Sequence, residues 1–446
     1  MTATVADQKS EAWLRVVPDT APRRRLGLRQ MLLLSGLWFG ISYLWNPLAL
    51  FILPSLVRDL THPVPIHLGF VSAIVDKNTY LALLEGLGTI FAVVWQPAIG
   101  AISDRSTFRI GRRRPYIAIG AIGVVLFLSL MSVVPSFWLL FVVYSLLQLS
   151  SNTAQGPYQG MLPDQVREDQ RGEASGYYGF LQMIGLIAAA IVIGILVPER
   201  LRWLSIISIA VVFAVTAGMA IFGVRDVRTT HRSTESLGRS IATSFVLDVK
   251  RYPDFAWLMA SRLLFLIALT GIQRFALYFL QYTFNLTPDA AKRDTGYLLI
   301  IIVAVAAAVS LTAGFLSERF GRKRFVATAC VIGAVGAALM ITAQSIPVVL
   351  LFGMILGIGL GIFLSVDWAF ATDLIPKAEA GRYMGVSNIA TASSGIIAGF
   401  LLGPIIDIFN RGGTSTVGYR VLFGLSAAFF VIAFFTLRPV REIKVE

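Results

Sequence analysis

Twelve stretches of roughly 20 or more residues in this chain carry almost no charge. Each is long enough to cross about 30 Å of hydrocarbon as a helix. Lipid offers no water to satisfy the backbone, so such segments fold as helices that bond internally. Their limits read as 31–56, 80–103, 115–134, 137–161, 174–197, 203–223, 254–282, 296–316, 324–344, 347–373, 382–408 and 418–437. The chain is 56% hydrophobic and only 14% charged, against about a quarter charged in a soluble protein. The expected fold is all-α: a polytopic membrane protein with twelve transmembrane helices in two pseudo-symmetric six-helix bundles.

The basic residues fix an expected orientation. Lys and Arg number 28 in the two tails and the alternate loops on their side, and 8 in the loops on the other side. Cytoplasmic loops hold the excess of positive charge. Both termini are therefore expected in the cytoplasm, with the chain in the cell (inner) membrane. The expected divisions are a cytoplasmic tail 1–29, a six-helix bundle 30–224, a cytoplasmic linker 225–253, a second bundle 254–438 and a tail 439–446. The first thirty residues are polar and Arg-rich, unlike a signal peptide. A net charge of +13 would suit nucleic acid, but its confinement to alternate loops argues for topology instead. Cys330 stands alone, so no internal disulfide can form.

One loop organises the rest. QPAIGAISDRSTFRIGRRRPYI, Gln96 to Ile117, joins the second and third apolar runs. It returns as GFLSERFGRKR, Gly314 to Arg324, with Gly314 lying 214 positions after Gly100. Pro163 and Pro376, each ahead of an arginine, repeat at 213 positions. Two echoes at nearly one offset indicate a duplicated half.

Twelve helices in two halves, each with this loop after its second helix, resemble the major facilitator superfamily. Within it, the first loop is similar to that of the sucrose–proton and related glycoside–cation symporters. SSNTAQGPYQGMLPD, Ser150 to Asp164, is similar to their fourth helix. The resemblance implies alternating access, with Asp104, Arg105, Gly111 and Arg112 holding the cytoplasmic side closed in the outward-open state, echoed by Glu318 and Arg322. Those symporters carry an aspartate early in the fourth helix and an arginine just after the QGP triplet. Gln148 and Gln159 stand there in this chain, so coupling would have to use other residues or be absent.

Polar side chains inside hydrocarbon are costly and usually face a cavity or a partner. Gln148, Asn152, Gln155 and Gln159 fall at i, i+4, i+7 and i+11, one helix face, with Tyr158 beside it. Amides donate and accept, which suits sugar hydroxyls; helix–helix bonding is the plainer reading. Trp45 and Asn46 precede Pro47, which removes a backbone bond mid-helix, and are candidates to line the same cavity; Gln182 is a weaker one. Arg262 lies ~12 Å and Asp367 ~9 Å from the cytoplasmic ends of their helices. Equal depth makes an ion pair possible, as a lock, a gate or a proton site. Trp368 adjoins it. Arg274 and Glu85 lie nearer the outside and are a candidate external gate; Arg274 is also a candidate substrate contact, and with Arg262 could serve an anionic substrate. Asp373 reads as a helix-end contact for Arg382.

The function expected is secondary transport of a sugar or glycoside across the bilayer, coupled to a proton or sodium ion. The rivals are the same fold carrying a drug, organic acid or peptide, and a membrane assembly or pigment-delivery factor. His62, His67 and His231 all lie outside the spans. No Gly-Lys-Ser/Thr phosphate loop or metal-ligand spacing appears in the sequence. Neither an enzyme nor a cofactor is expected.

Overall fold

The structure, a computed structural model, describes residues 25–68, 71–106, 108, 111–167, 170–223, 252–375, 380–410 and 415–441. Most of the expected linker 225–253 lies outside them, as do the ends of both tails. Among the described residues twelve helices are long and apolar enough to cross a membrane. They are α1 Leu28–Leu60, α2 Lys77–Asp104, α3 Arg114–Met131, α4 Phe137–Gln165, α5 Gly172–Leu196 and α6 Glu199–Gly223. The last six are α7 Pro253–Thr283, α8 Pro288–Phe320, α9 Arg322–Met340, α10 Ile346–Asp373, α11 Ala380–Asn410 and α12 Val417–Thr436.

Two departures from the expected limits have physical causes. Helix α8 begins at Pro288 instead of residue 296. Thr287 caps it, its hydroxyl accepting from the Ala290 N–H at 3.3 Å, and Pro288 suits the first turn. Asp289, Lys292, Arg293 and Asp294 fill the opening turns, so an apolar criterion starts too late. Residues between the first two expected spans hold a hairpin, β1 Val64–Leu68 antiparallel to β2 Val71–Val75. It is the one exception to an all-α fold among the described residues.

Pro47 marks the point where α1 changes. Its ring removes one backbone donor, and the helix widens into a π turn over Leu48–Ile52. Helix α5 has a matching π segment at Ala190–Leu196. The two wide turns meet: a Cβ on Gly194 would lie 2.9 Å from the Phe51 ring and 3.3 Å from Gly296 of α8. Ile119, Ile122, Leu126 and Leu130 of α3 are exposed at helical spacing, and so are Trp203, Ile207, Val211 and Val215 of α6. These faces suit lipid.

The helices α1–α6 and α7–α12 meet chiefly on the side away from the chain ends. There α2 packs on α11, α8 on the π segment of α5, α7 on the π turn of α1, and β2 on α11. Tyr278 donates to the Pro54 carbonyl at 2.6 Å, and Lys292 donates to the Val197 carbonyl at 3.1 Å. On the side carrying the ends, Arg25–Glu173, Arg113–Asp104 and Arg322–Asp373 each stay within one set of six. Burial follows the same division. Leu81, Leu84, Glu85 and Gly88 of α2 are buried, whereas Ile90, Phe91 and Val94 are exposed.

Candidate functional site

Two buried ion pairs lie in the middle of the helices. In the first, Arg262 of α7 pairs with Asp367 of α10. Both side chains are almost fully buried. Arg262 also donates to the Thr391 hydroxyl of α11 through Nη2 at 3.0 Å. Its guanidinium lies 4.9 Å from the Trp368 ring centroid, within cation–π range. One Asp367 oxygen takes the guanidinium; the other, Oδ1, is buried with no hydrogen-bond partner among the described residues. A buried carboxylate oxygen left without a donor is costly.

The second pair joins Glu85 of α2 to Arg274 of α7 at 2.5 Å. Arg274 also donates to the Gly395 carbonyl of α11 at 2.7 Å. Small residues make room for it: a Cβ on Gly399 would sit 2.1 Å from the Arg274 guanidinium. The Glu85 Oε1 atom is buried without a partner. Next to this pair, Gly88 lets the Tyr144 ring of α4 press onto α2. Tyr144 meets Trp45 of α1 edge-on at 6.4 Å and accepts from Gln148 at 2.8 Å. Five helices thus converge around Glu85 and Arg274.

The amide stripe of α4 divides along its length. Gln148 and Asn152 are buried. Asn152 donates to the Gln148 carbonyl at 2.8 Å, so these two are tied within their own helix. Gln155 is half-buried and Gln159 is exposed, toward the open side. Asn46 of α1 turns back to the Ser42 carbonyl at 2.9 Å. Tyr158 departs from the expectation of a substrate contact. It is fully buried, and its hydroxyl donates to the Leu34 carbonyl at 2.5 Å. It is a strut between α4 and α1, with its only proton committed. Gln182 is exposed on α5.

The motif loop is knotted by an arginine that the motif reading passed over. Arg113 is buried and bridges Asp104 at 2.9 Å and Asp164 at 2.8 Å, and it donates to the Pro157 carbonyl. Arg112 reinforces it on Asp164 at 2.5 Å. Gly111 has φ 116°, a backbone state that L side chains resist. Gly321 repeats this at φ 99°. In the second half Arg322 holds Asp373 at 2.9 Å; the side chain of Arg382, its expected partner, lies outside the described residues. Arg105 and Glu318 make no ion pair among the described residues, and Glu318 is exposed. All these contacts tie a loop to its own half.

Sequence reasoning did not single out Arg113, Tyr144 or Thr391. Arg113 stands in a run of three arginines, where spacing cannot rank them. Tyr144 lies one helical repeat before Gln148, and Thr391 stands on a span from which no site residue was chosen; only the fold shows which way they point.

Twelve spans, a duplicated half and charged pairs buried between helices define a multi-pass membrane transporter. A family profile described as Major Facilitator Superfamily matches residues 52–399 and 273–446, and the chain belongs to that family. It is 23% identical over 395 residues to the glucuronide carrier protein homolog of Escherichia coli, covering 78% of this chain and 82% of that one. It is 25% identical over 182 residues to the sucrose transport protein SUC4 of Arabidopsis thaliana, covering 37% of this chain and 33% of the relative. A minor myo-inositol transporter of Bacillus subtilis matches at 28% over 134 residues, 30% of this chain and 28% of that protein. The chain thus aligns with a third or less of the length of these last two relatives. Among solved structures, the nucleoside transporter NupG superimposes with a TM-score of 0.69 at 15% identity, over 92% of this chain and 98% of that one.

Proposed function

We propose that this protein is a secondary active transporter of a sugar or glycoside, coupled to a proton or sodium ion. The observation that carries the reading is the Arg262–Asp367 pair beside Trp368, with one carboxylate oxygen unpartnered. A cation bound there would neutralise the carboxylate and free Arg262 for a hydroxyl. Trp368, Trp45, Gln155 and Gln159 offer ring faces and amides to a polyol. Similarity to a sucrose transport protein, a glucuronide carrier homolog and an arabinose–proton symporter supports the substrate class.

The excess of Lys and Arg on the side of the chain ends supports cytoplasmic termini in the inner membrane, and so an inward-open state. Two rocking bundles, 30–224 and 254–438, then exchange this state for an outward-open one. There Asp104, Arg105, Gly111 and Arg112, with Glu318 and Arg322, would meet the opposite bundle. The test is labelled-sugar uptake in proteoliposomes, with and without a proton or sodium gradient. Accumulation above equilibrium that collapses with the gradient is the expected result. Failure to move any sugar in a panel that includes sucrose, glucuronides and pentoses would overturn the reading.

A further inference from the structure

The start of α2 is capped by the other half of the molecule. The first N–H groups of a helix have no partner within it, and a neighbouring side chain usually supplies one. Asp76, the residue in that position, makes no such bond. Its carboxylate instead holds Lys77 at 2.8 Å, whose ammonium lies 4.1 Å from the Tyr282 ring centroid of α7. The cap comes from Asp407, near the end of α11. One of its oxygens accepts from the backbone N–H of Asp76 at 3.0 Å and of Thr79 at 2.8 Å, and from the Thr79 hydroxyl at 2.6 Å. The other accepts from the Asn78 amide at 2.7 Å. Asp407 is 1% exposed. The fit is close because a Cβ on Gly403, one turn earlier, would lie 2.8 Å from the Asn78 carbonyl.

We infer that Asp407 is a positioning residue of the transport cycle, the latch that keeps the side away from the chain ends closed. It acts through α2. Asn78 and Glu85 are seven residues apart, two helical turns on one face. A cap that fixes the first turn of α2 against α11 therefore also fixes Glu85 against Arg274. Four donors converge on one carboxylate across the seam between the halves. When the halves separate there, water must replace all four bonds, and the start of α2 loses its cap. This inference rests on the alternating-access reading but not on the substrate.

Spin-label distances in nanodiscs test it without a substrate. In a Cys330→Ser background, one pair of labels replaces His62 and Arg293, exposed on the latched side. A second pair replaces Glu173 and Arg319, exposed on the side of the chain ends. Asp407→Ala is expected to raise the long-distance population of the first pair at least fivefold and to shorten the second. Asp407→Asn, which retains one acceptor oxygen, should fall between. Asp254→Ala, whose carboxylate accepts from the Arg441 N–H of its own half, should move neither. General loosening would broaden both pairs alike, and that result overturns the inference, as does an unchanged distribution. If Asp407→Ala fails to fold, Thr79→Val removes one donor and must shift the same populations in the same direction. A latch that responds while no sugar moves would leave the inference standing and remove the substrate proposal.

Discussion

The two buried ion pairs look alike and differ in what they join. Arg262–Asp367 links α7 to α10, inside the last six helices. Glu85–Arg274 links α2 to α7, across the seam. Rigid rocking of one half against the other leaves the first pair intact and must break the second. The first can therefore answer only to something that binds it, a cation or a hydroxyl. The second answers to the conformation itself. A transporter needs both kinds of contact, because a ligand shifts an equilibrium only by binding its states unequally.

The largest effect is expected from splitting the pair across the seam. Removing one partner of a buried pair strands the other charge, at a cost of about 3–5 kcal/mol. Glu85→Ala should leave Arg274 uncompensated and lower both gradient-driven uptake and sugar exchange by about 100-fold or more, measured in proteoliposomes at equal protein. Arg274→Ala should do the same, and the double variant should recover much of the loss. If the double variant is as poor as the sum of the two singles, the pair is not a functional unit.

Asp367→Asn should separate coupling from movement. The amide mimics a carboxylate held permanently neutral. Accumulation against a gradient should fall to the equilibrium level, about 10-fold or more if a steep gradient is applied. Exchange of internal for external sugar, which needs no release of the cation, should stay within about threefold. Loss of both to the same degree would make the pair a structural lock, and the contrast with Glu85–Arg274 would disappear.

Trp368→Leu is a smaller change. It removes a cation–π contact worth about 0.5–2 kcal/mol and a ring face for the substrate. The expected outcome is a rise in KM of about three- to tenfold with kcat nearly unchanged. A fall in kcat at constant KM would place Trp368 in the gate instead of the binding surface.

Much of this arrangement was legible in the amino acids. Long uncharged runs leave few alternatives in lipid, and the alternation of basic loops fixes the number of crossings. Equal depth along two helices suggested Arg262 for Asp367, and a shared place nearer the outside suggested Glu85 for Arg274. Direction was not legible. Tyr158 shares a face with the amides, but a hydroxyl reaches several ångströms, and here it reaches the Leu34 carbonyl. Asp407 was not singled out, because nothing in its own helix announces the uncapped turn of α2 across the seam. The hairpin at 64–75 was hidden by two neighbouring spans strong enough to make any connection plausible. Contacts between halves depend on both halves at once, and periodicity within one segment cannot report them.

The smallest predicted effect sharpens the comparison at the open end of α4. Gln148 and Asn152 are bonded within the helix, whereas Gln155 and Gln159 make no such bond among the described residues and grow more exposed toward the opening. A neutral hydrogen bond to a substrate contributes about 0.5–1.5 kcal/mol. Gln155→Leu and Gln159→Leu should each raise KM by about two- to tenfold, without changing the dependence on the gradient. Asn152→Leu should act differently, lowering the amount of folded protein because the buried Gln148 loses its neighbour. A KM effect that is larger at Asn152 than at Gln155 would mean that the substrate sits deeper, beside Glu85 and Arg274. Binding and gating would then share one site instead of two.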